Sequence, residues 1–482
     1  MIKAVGYTLV LLAMALSFHE ASGQQSQEGS KENKILSYFP VGKGQPKIPD
    51  QYKVTSIEQL MPGTRYYLEH ATRLKRGEQV LIVTDSRTGD PLITEAWARA
   101  ARERGAIVDV VVLDLTSHRL TPEVGPMGSE ATSWWPTWLD NAILKADATL
   151  VLAPININHG IKRQTVEEKW TSGRIGLPGN IYTREQLAFT KWTTYPAELD
   201  VALQRKLYEE TEVEGSPKVV HITNQLGTDL TFTMDVDRDW IRQHFAYDLT
   251  KIEVMFTHRT EYMFVHNKIS PGLSKKPDAH GVIVTTSLPT GPTPPLKLTI
   301  EGGRIVRVEG DSPAAEEWRR GIEKFKDVDY GFPHGTGVAW AEGVYFGTNP
   351  KVIRPDFFNP NYFQEQGSYN YWWCEIKRSG FIHIGFGKGW SGLDGLKHDL
   401  PTWHNDVFLP YPTVYVNDKE IVKNGHLMLL DDLEIRRIAA KYGDPDGLLR
   451  EEWVPDYDVD PSIKGYYTKQ QYEDILKAFN RR

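Results

Sequence analysis

The stretch from Gly77 to Leu113 constrains the fold more than any other part of the chain. Gln79 to Thr84 (QVLIVT) is a short apolar, β-branched run, the pattern of a buried strand. Asp90 followed by Pro91 supplies a helix N-cap and a first-turn proline. Leu92, Ile93, Ala96, Trp97, Ala100 and Ala101 then recur at helical spacing, and Gly105 stands at the stop position. Ile107 to Leu113 (IVDVVVL) reads as a second buried strand. A strand, a helix and a strand in that order form a crossover unit, so a parallel sheet is expected in the first half. Ala148 to Ala153 (ATLVLA) supplies a third parallel strand, and Ala197 to Glu210 a helix. After the break at Gly215-Ser216-Pro217 the pattern changes. Val219 to Thr223, Leu230 to Met234, Gly281 to Thr286 and Leu296 to Ile300 are strand-like, with Ala314 to Phe325 as a helix among them. The expected fold is an α/β N-terminal domain with a parallel sheet (51–215), followed by an α+β, strand-rich C-terminal domain (216–482).

The chain has 482 residues, 40% of them hydrophobic, with 56 Lys+Arg against 63 Asp+Glu and a net charge of −7. That balance supports large apolar cores and excludes wholesale disorder, collagen and coiled coil. It also speaks against a nucleic-acid partner, which calls for a basic face. The one cysteine, Cys374, excludes intrachain disulfides and cysteine-cluster metal sites, so chemistry must come from His, Asp, Glu, aromatic groups or backbone. At the N-terminus, Lys3, the apolar run Val5 to Phe18 and the small residues Ala21-Ser22-Gly23 read as a signal peptide over 1–23, with a polar leader over 24–50. The run is short for a membrane span, with a retained anchor as the alternative. No membrane span is expected after its removal, and the expected location is periplasmic or secreted.

Phe381 to Gly387 (FIHIGFG) is strand-like, and alternation puts His383, Gly385 and Gly387 on one face. Two glycines beside a histidine leave room for something bulky to sit against it. His404-Asn405-Asp406 precedes the apolar run Val407-Phe408-Leu409; if extended, His404 and Asp406 share a face and Asn405 takes the other. Two imidazoles and one carboxylate form the ligand set suited to a non-haem Fe(II), one per chain, with Zn or Mn as alternatives. With 14 histidines, about one His-x-Asp arises by chance, so the Gly-flanked His383 carries much of the signal. Gly387-Lys388-Gly389-Trp390-Ser391-Gly392 fits a dinucleotide fingerprint, but it opens onto Leu393-Asp394-Gly395 rather than a long amphipathic helix. It is read as a loop near the metal.

Six segments of the second half, in order, resemble the aminopeptidase T family of metallopeptidases and its non-peptidase relative, 2,5-dihydroxypyridine dioxygenase. They are Ile222 to Phe232, Leu298 to Gly310, Gly347 to Pro350 (GTNP), His383 to Gly387, His404 to Asp406 and Thr413 to Gly425. The resemblance implies a metal domain behind an α/β domain, in a homodimer. It also exposes departures. The peptidases hold two metals with two further glutamates and a tyrosine seven residues after the first histidine. Here the tyrosine position is Trp390, the Pro271-Gly272-Leu273 turn carries leucine where the first glutamate stands, and an ungapped count from Gly347 puts Gly343 in the second slot. What survives is the mononuclear set His383, His404 and Asp406, with Glu342 as the alternative fourth ligand. By the same resemblance His280 falls where the dioxygenase carries an acid/base histidine; a surface turn histidine is the alternative.

Tyr371, Trp372, Trp373 and Trp390 flank the His383 strand, and Trp373 and Trp390 are read as walls for an aromatic substrate. The expected function is an exported mononuclear non-haem iron dioxygenase that cleaves a hydroxylated, optionally N-heterocyclic, aromatic ring, with that substrate and O2 as partners. A metal-dependent aminopeptidase-like hydrolase and a non-catalytic metal-binding or ligand-binding protein are the alternatives. The signal-peptide reading is directly testable. Intact-mass analysis of the native protein should find an N-terminus near Gln24, and an intact Met1 in soluble cytoplasmic material would overturn it.

Overall fold

The computed structural model describes residues 50–86, 89–113, 137–152, 175–176, 183–211, 217–234, 261–263, 278–288, 291–330, 335–353, 376–387, 403–409 and 411–452. The crossover unit forms as its sequence predicts. After α1 (Met61–His70), strand β1 (Gln79–Asp85) leads to α2 (Pro91–Glu103) and β2 (Ile107–Leu113). Asp90 caps α2 by accepting from the backbone N–H groups of Leu92 and Ile93 at 2.9 and 3.2 Å, a contribution of about 1 kcal/mol. The same carboxylate takes the Arg184 guanidinium at 2.8 Å, which ties the start of α4 (Arg184–Phe189) to the start of α2. Gly105 has φ +80° in the turn after α2, where a side chain would be strained.

With α3 (Thr137–Lys145), β3 (Ala148–Val151), β4 (Ile175–Gly176) and α5 (Ala197–Thr211), the first half builds an all-parallel sheet in the order β2-β1-β3-β4. Alternation along β1 splits its side chains between two cores. Val80 and Ile82 join Leu68 of α1 and Trp97 of α2. Leu81 and Val83 join Leu139 of α3 and Leu199, Leu203 and Leu207 of α5. The expectation for β2 needs correction. It is not buried: Ile107 is 56% and Val112 60% exposed. Among the described residues it is the outermost strand, bonded on one side only, and an apolar run by itself does not distinguish an edge strand from a central one.

The second half is antiparallel. Its strands are β5 (Lys218–Thr223), β6 (Asp229–Met234), β7 (Glu261–Met263), β8 (His280–Leu288), β9 (Gly291–Glu301), β10 (Arg304–Glu309), β11 (Trp340–Gly347), β12 (Ile382–Gly387), β13 (His404–Leu409), β14 (Thr413–Val416), β15 (Lys419–Lys423) and β16 (His426–Leu427). They run β13-β12-β11-β10-β9-β8-β6-β5-β14-β15-β16, with β7 paired to β11. The sheet curls until β8 meets β13, where the Thr285 hydroxyl donates to the Phe408 carbonyl. The enclosed face carries Ile283, Leu298, Ile305, Val344, Ile382, Ile384, Phe386, Val407 and Leu409. Helix α6 (Pro313–Lys324), capped by Ser312, adds Trp318, which meets Phe386 and Trp403 edge-on at 5.9 and 5.5 Å. Gly321 of this helix has no room for a side chain, since a Cβ would lie 2.1 Å from the Trp403 indole nitrogen. Among the described residues no helix is long and apolar enough to cross a membrane.

Helices α7 (Leu433–Ala439) and α8 (Pro445–Leu449) precede a segment that is clasped to the sheet by ions. Lys351, fully buried, donates to the carbonyls of Gly447 and Arg450 at 2.6 and 2.7 Å and pairs with Glu452 at 2.9 Å. Beside it, Glu451 accepts from Ser379 at 2.6 Å and pairs with His426 at 3.0 Å, while the other His426 nitrogen reaches Asp431 at 2.9 Å. These partners, Glu451 foremost, raise the His426 pKa from 6.5 to about 9. A raised histidine pKa gives stability that is fully present below about pH 6.5 and lost as pH climbs through 9. The imidazole is 38% exposed, so solvent screening leaves about 1 kcal/mol of that. His426→Gln should therefore lower stability by about that amount at pH 6, with the gap to wild type closing between pH 6.5 and 9.5 in denaturant titrations. A gap that is flat across this range would refute the clasp.

Candidate metal centre

Strand β12 is buried at every residue, so both of its faces are covered. A strand in that setting ordinarily reads as an unbroken apolar run. Its inward residues obey the rule, while its outward ones are His383, Gly385 and Gly387. Register then extends that outward face over three strands in parallel rows. Tyr345, His383 and Phe408 form the first row, Gly343, Gly385 and Asp406 the second, and Trp340, Gly387 and His404 the third. The two segments singled out by the sequence thus lie side by side, and His383, Asp406 and the backbone position of His404 share a face. Asn405 lies across from Phe386 on the other.

His383 is 5% and Asp406 1% exposed. Tyr345 lies flat on the His383 imidazole, with ring centroids 4.1 Å apart and planes 6° from parallel. From the other flanking strand Phe408 presents an edge at 6.2 Å and 74°. The phenol end of Tyr345 reaches back over Gly343, where a Cβ would fall 2.7 Å from both Cζ and Oη. The row beside the histidine thus has two adjacent glycines and then the carboxylate. Phe408 belongs to the core cluster of Trp97, Leu187, Trp192, Phe381 and Tyr411, which places the α/β layer against this end of the face. Trp340 is half-buried, with the Arg304 guanidinium 5.5 Å over its ring.

A carboxylate as buried as Asp406 requires hydrogen bonds or a cation to offset its lost hydration. Asp406 and the His383 imidazole are donor types that a divalent transition metal accepts, and the backbone position of His404 lies on the same face. Among the described residues no group of three His, Cys, Asp or Glu side chains is gathered; the His404 side chain lies outside that description. So does that of Glu342, whose backbone is the extra residue where the β11–β12 register shifts between Ala341 and Gly343. His280 is not brought to this face. It opens β8, exposed, five residues or roughly 17 Å of strand before Thr285, and its Nδ1–H donates to the Asp278 carbonyl at 2.8 Å. Trp373 and Trp390 lie outside the described residues. Sequence reasoning missed Tyr345 and Trp340. Alternation aligns Tyr345 with Gly343, but only knowing which strands are neighbours sets it on His383.

No family model and no curated protein matches the chain. Among solved structures it is similar to 2,5-dihydroxypyridine dioxygenase from Pseudomonas putida, at 17% identity and a TM-score of 0.48, over 78% of this chain and 98% of that one. It is also similar to wild-type AmpT from Thermus thermophilus, at 14% identity and a TM-score of 0.42, over 77% and 99%.

The three-strand face generates a test of the donor set. His383→Ala, His404→Ala and Asp406→Ala should each weaken binding of Fe(II) or Co(II) by at least about 10-fold while circular dichroism stays unchanged. Asn405→Ala, on the enclosed face, should keep metal affinity. Normal binding in Asp406→Ala, or equal loss in Asn405→Ala, would reduce the triplet to ordinary strand residues.

Proposed function

We propose that the chain is a mononuclear non-haem iron enzyme for the oxygen-dependent opening of a hydroxylated aromatic ring. The observation that carries this reading is the second row of the face. Asp406 is followed by Gly385 and then Gly343, so glycine stands in the slot where, by the resemblance to the peptidases, a second carboxylate would be carried. Fe(II), when bound, would supply the electron-transfer centre that joins an electron-rich ring to dioxygen. The remaining work falls to the protein. Asp406 offers the negative charge, His383 and His404 offer neutral imidazoles, and the glycines leave space for a flat ring beside them. Tyr345 and Trp340 share that face, which suits an aromatic guest. His383 and Asp406 are shielded from bulk water, and the α/β layer packs on Phe408 beside them. His280 has no part in this proposal.

A metal hydrolase is the second reading, favoured by one feature. The extra residue of β11 is Glu342, one position from Gly343, and bulges beside active sites re-aim side chains. The two readings differ in metal number and in oxygen demand. Protein purified without added metal should hold about one iron per chain and consume O2 when given a hydroxylated aromatic or N-heterocyclic compound. Two ions per chain with hydrolysis of amino-acid amides would put the hydrolase first. One metal with neither activity would leave a binding protein.

A further inference from the structure

We infer that Tyr345 is a positioning residue for His383: its ring fixes the plane of the imidazole, and Gly343 lacks a side chain so that it can. The inference rests on His383 being a metal ligand. The torsion that sets an imidazole plane is broad and roughly two-fold, so a histidine needs help to aim one nitrogen. Metal-bound histidines usually get that help from a hydrogen bond at the other nitrogen. Here a second restraint is built into the sheet. Tyr345 and His383 are directly opposed across β11 and β12, and their rings stack at 4.1 Å and 6°. A rotation of the imidazole out of this plane would drive its edge into the tyrosine face. Phe408 blocks the other side with an edge at 6.2 Å.

Tyr345 is itself held. Its ring is buried, and its backbone is paired on both sides, to His383 on β12 and to Met263 on β7. Its phenol end occupies the volume that a side chain at position 343 would need, since a Cβ there falls 2.7 Å from Cζ and Oη and 2.9 Å from Cε2. The smallest addition at Gly343 must therefore move the tyrosine. Two residues of one strand, neither of them a metal donor, thus govern the aim of a donor on the next.

The stack has a readout that needs no metal. In metal-free protein with labelled histidine, the His383 ring protons should be shifted upfield by the tyrosine ring current, the signal being assigned by its loss in His383→Gln. Tyr345→Leu and Gly343→Ala should return that signal to the ordinary range, while Tyr345→Phe keeps it. The dissociation constant for Co(II) should rise about 10- to 100-fold in the first two variants and stay within about 3-fold in the third. Thermal melting separates these effects from unfolding, and Gly343→Ala stands in should Tyr345→Leu not fold. Wild-type signal and affinity in Gly343→Ala and Tyr345→Leu would overturn the inference. So would equal loss in Tyr345→Phe, which would give the role to the hydroxyl instead of the ring. A wild-type chain that shows the stacked signal yet binds no Co(II) would overturn the metal reading alone.

Discussion

The register between β11, β12 and β13 is the constraint on which the rest of the site depends. A slip of one residue would turn every side chain of a strand to its opposite face. What forbids the slip is apolar. Ile382, Ile384 and Phe386 on β12, Val344 and Phe346 on β11, and Val407 and Leu409 on β13 point into the enclosed core and are essentially inaccessible to water. A slip would carry the His383 imidazole into that apolar core, where a buried polar group without a partner costs roughly 1 to 3 kcal/mol. The position of His383 and Asp406 is thereby a consequence of the hydrophobic pattern on the side of the sheet they do not occupy.

The outward face carries the opposite economy of side chains. Gly343, Gly385 and Gly387 contribute no packing of their own, and glycine inside a strand costs roughly 0.5 to 1 kcal/mol relative to alanine. One of these absences has a visible structural use, the space taken by the Tyr345 ring at Gly343. The curl of the sheet, closed where Thr285 meets the Phe408 carbonyl, joins the edge strand β13 to β8 and leaves Asp406 on a strand flanked on both sides. Its aim is set by this framework.

Legibility in the sequence follows the range of the interaction. The crossover unit, the Asp90 cap, the third parallel strand and the shared face of His383 with its glycines are local patterns, and all of them form. The exposure of β2 was not legible, because an apolar run does not state whether a second neighbour exists. Nor was the stack of Tyr345 on His383, whose partners lie far apart in the chain and meet only through strand pairing. The extra residue at Glu342 is likewise a property of a pair of strands and leaves no mark on one of them. His280 was placed by resemblance, and the exposed start of β8 holds it away from the buried face.

Charge arithmetic at the proposed site narrows its ligand chemistry. A divalent ion held by one carboxylate and two neutral imidazoles retains one net positive charge in a region with little water. Buried net charge is costly, and the cheapest way to cancel it is an anionic oxygen on the incoming molecule. A hydroxylated aromatic supplies one by losing a proton, since a phenolate is far more accessible than an ionised amide. A carboxylate at position 343 would have cancelled that charge from the protein side and removed the demand. With glycine at that position, covered by Tyr345, the proposed site would leave the balance to be completed by its ligand.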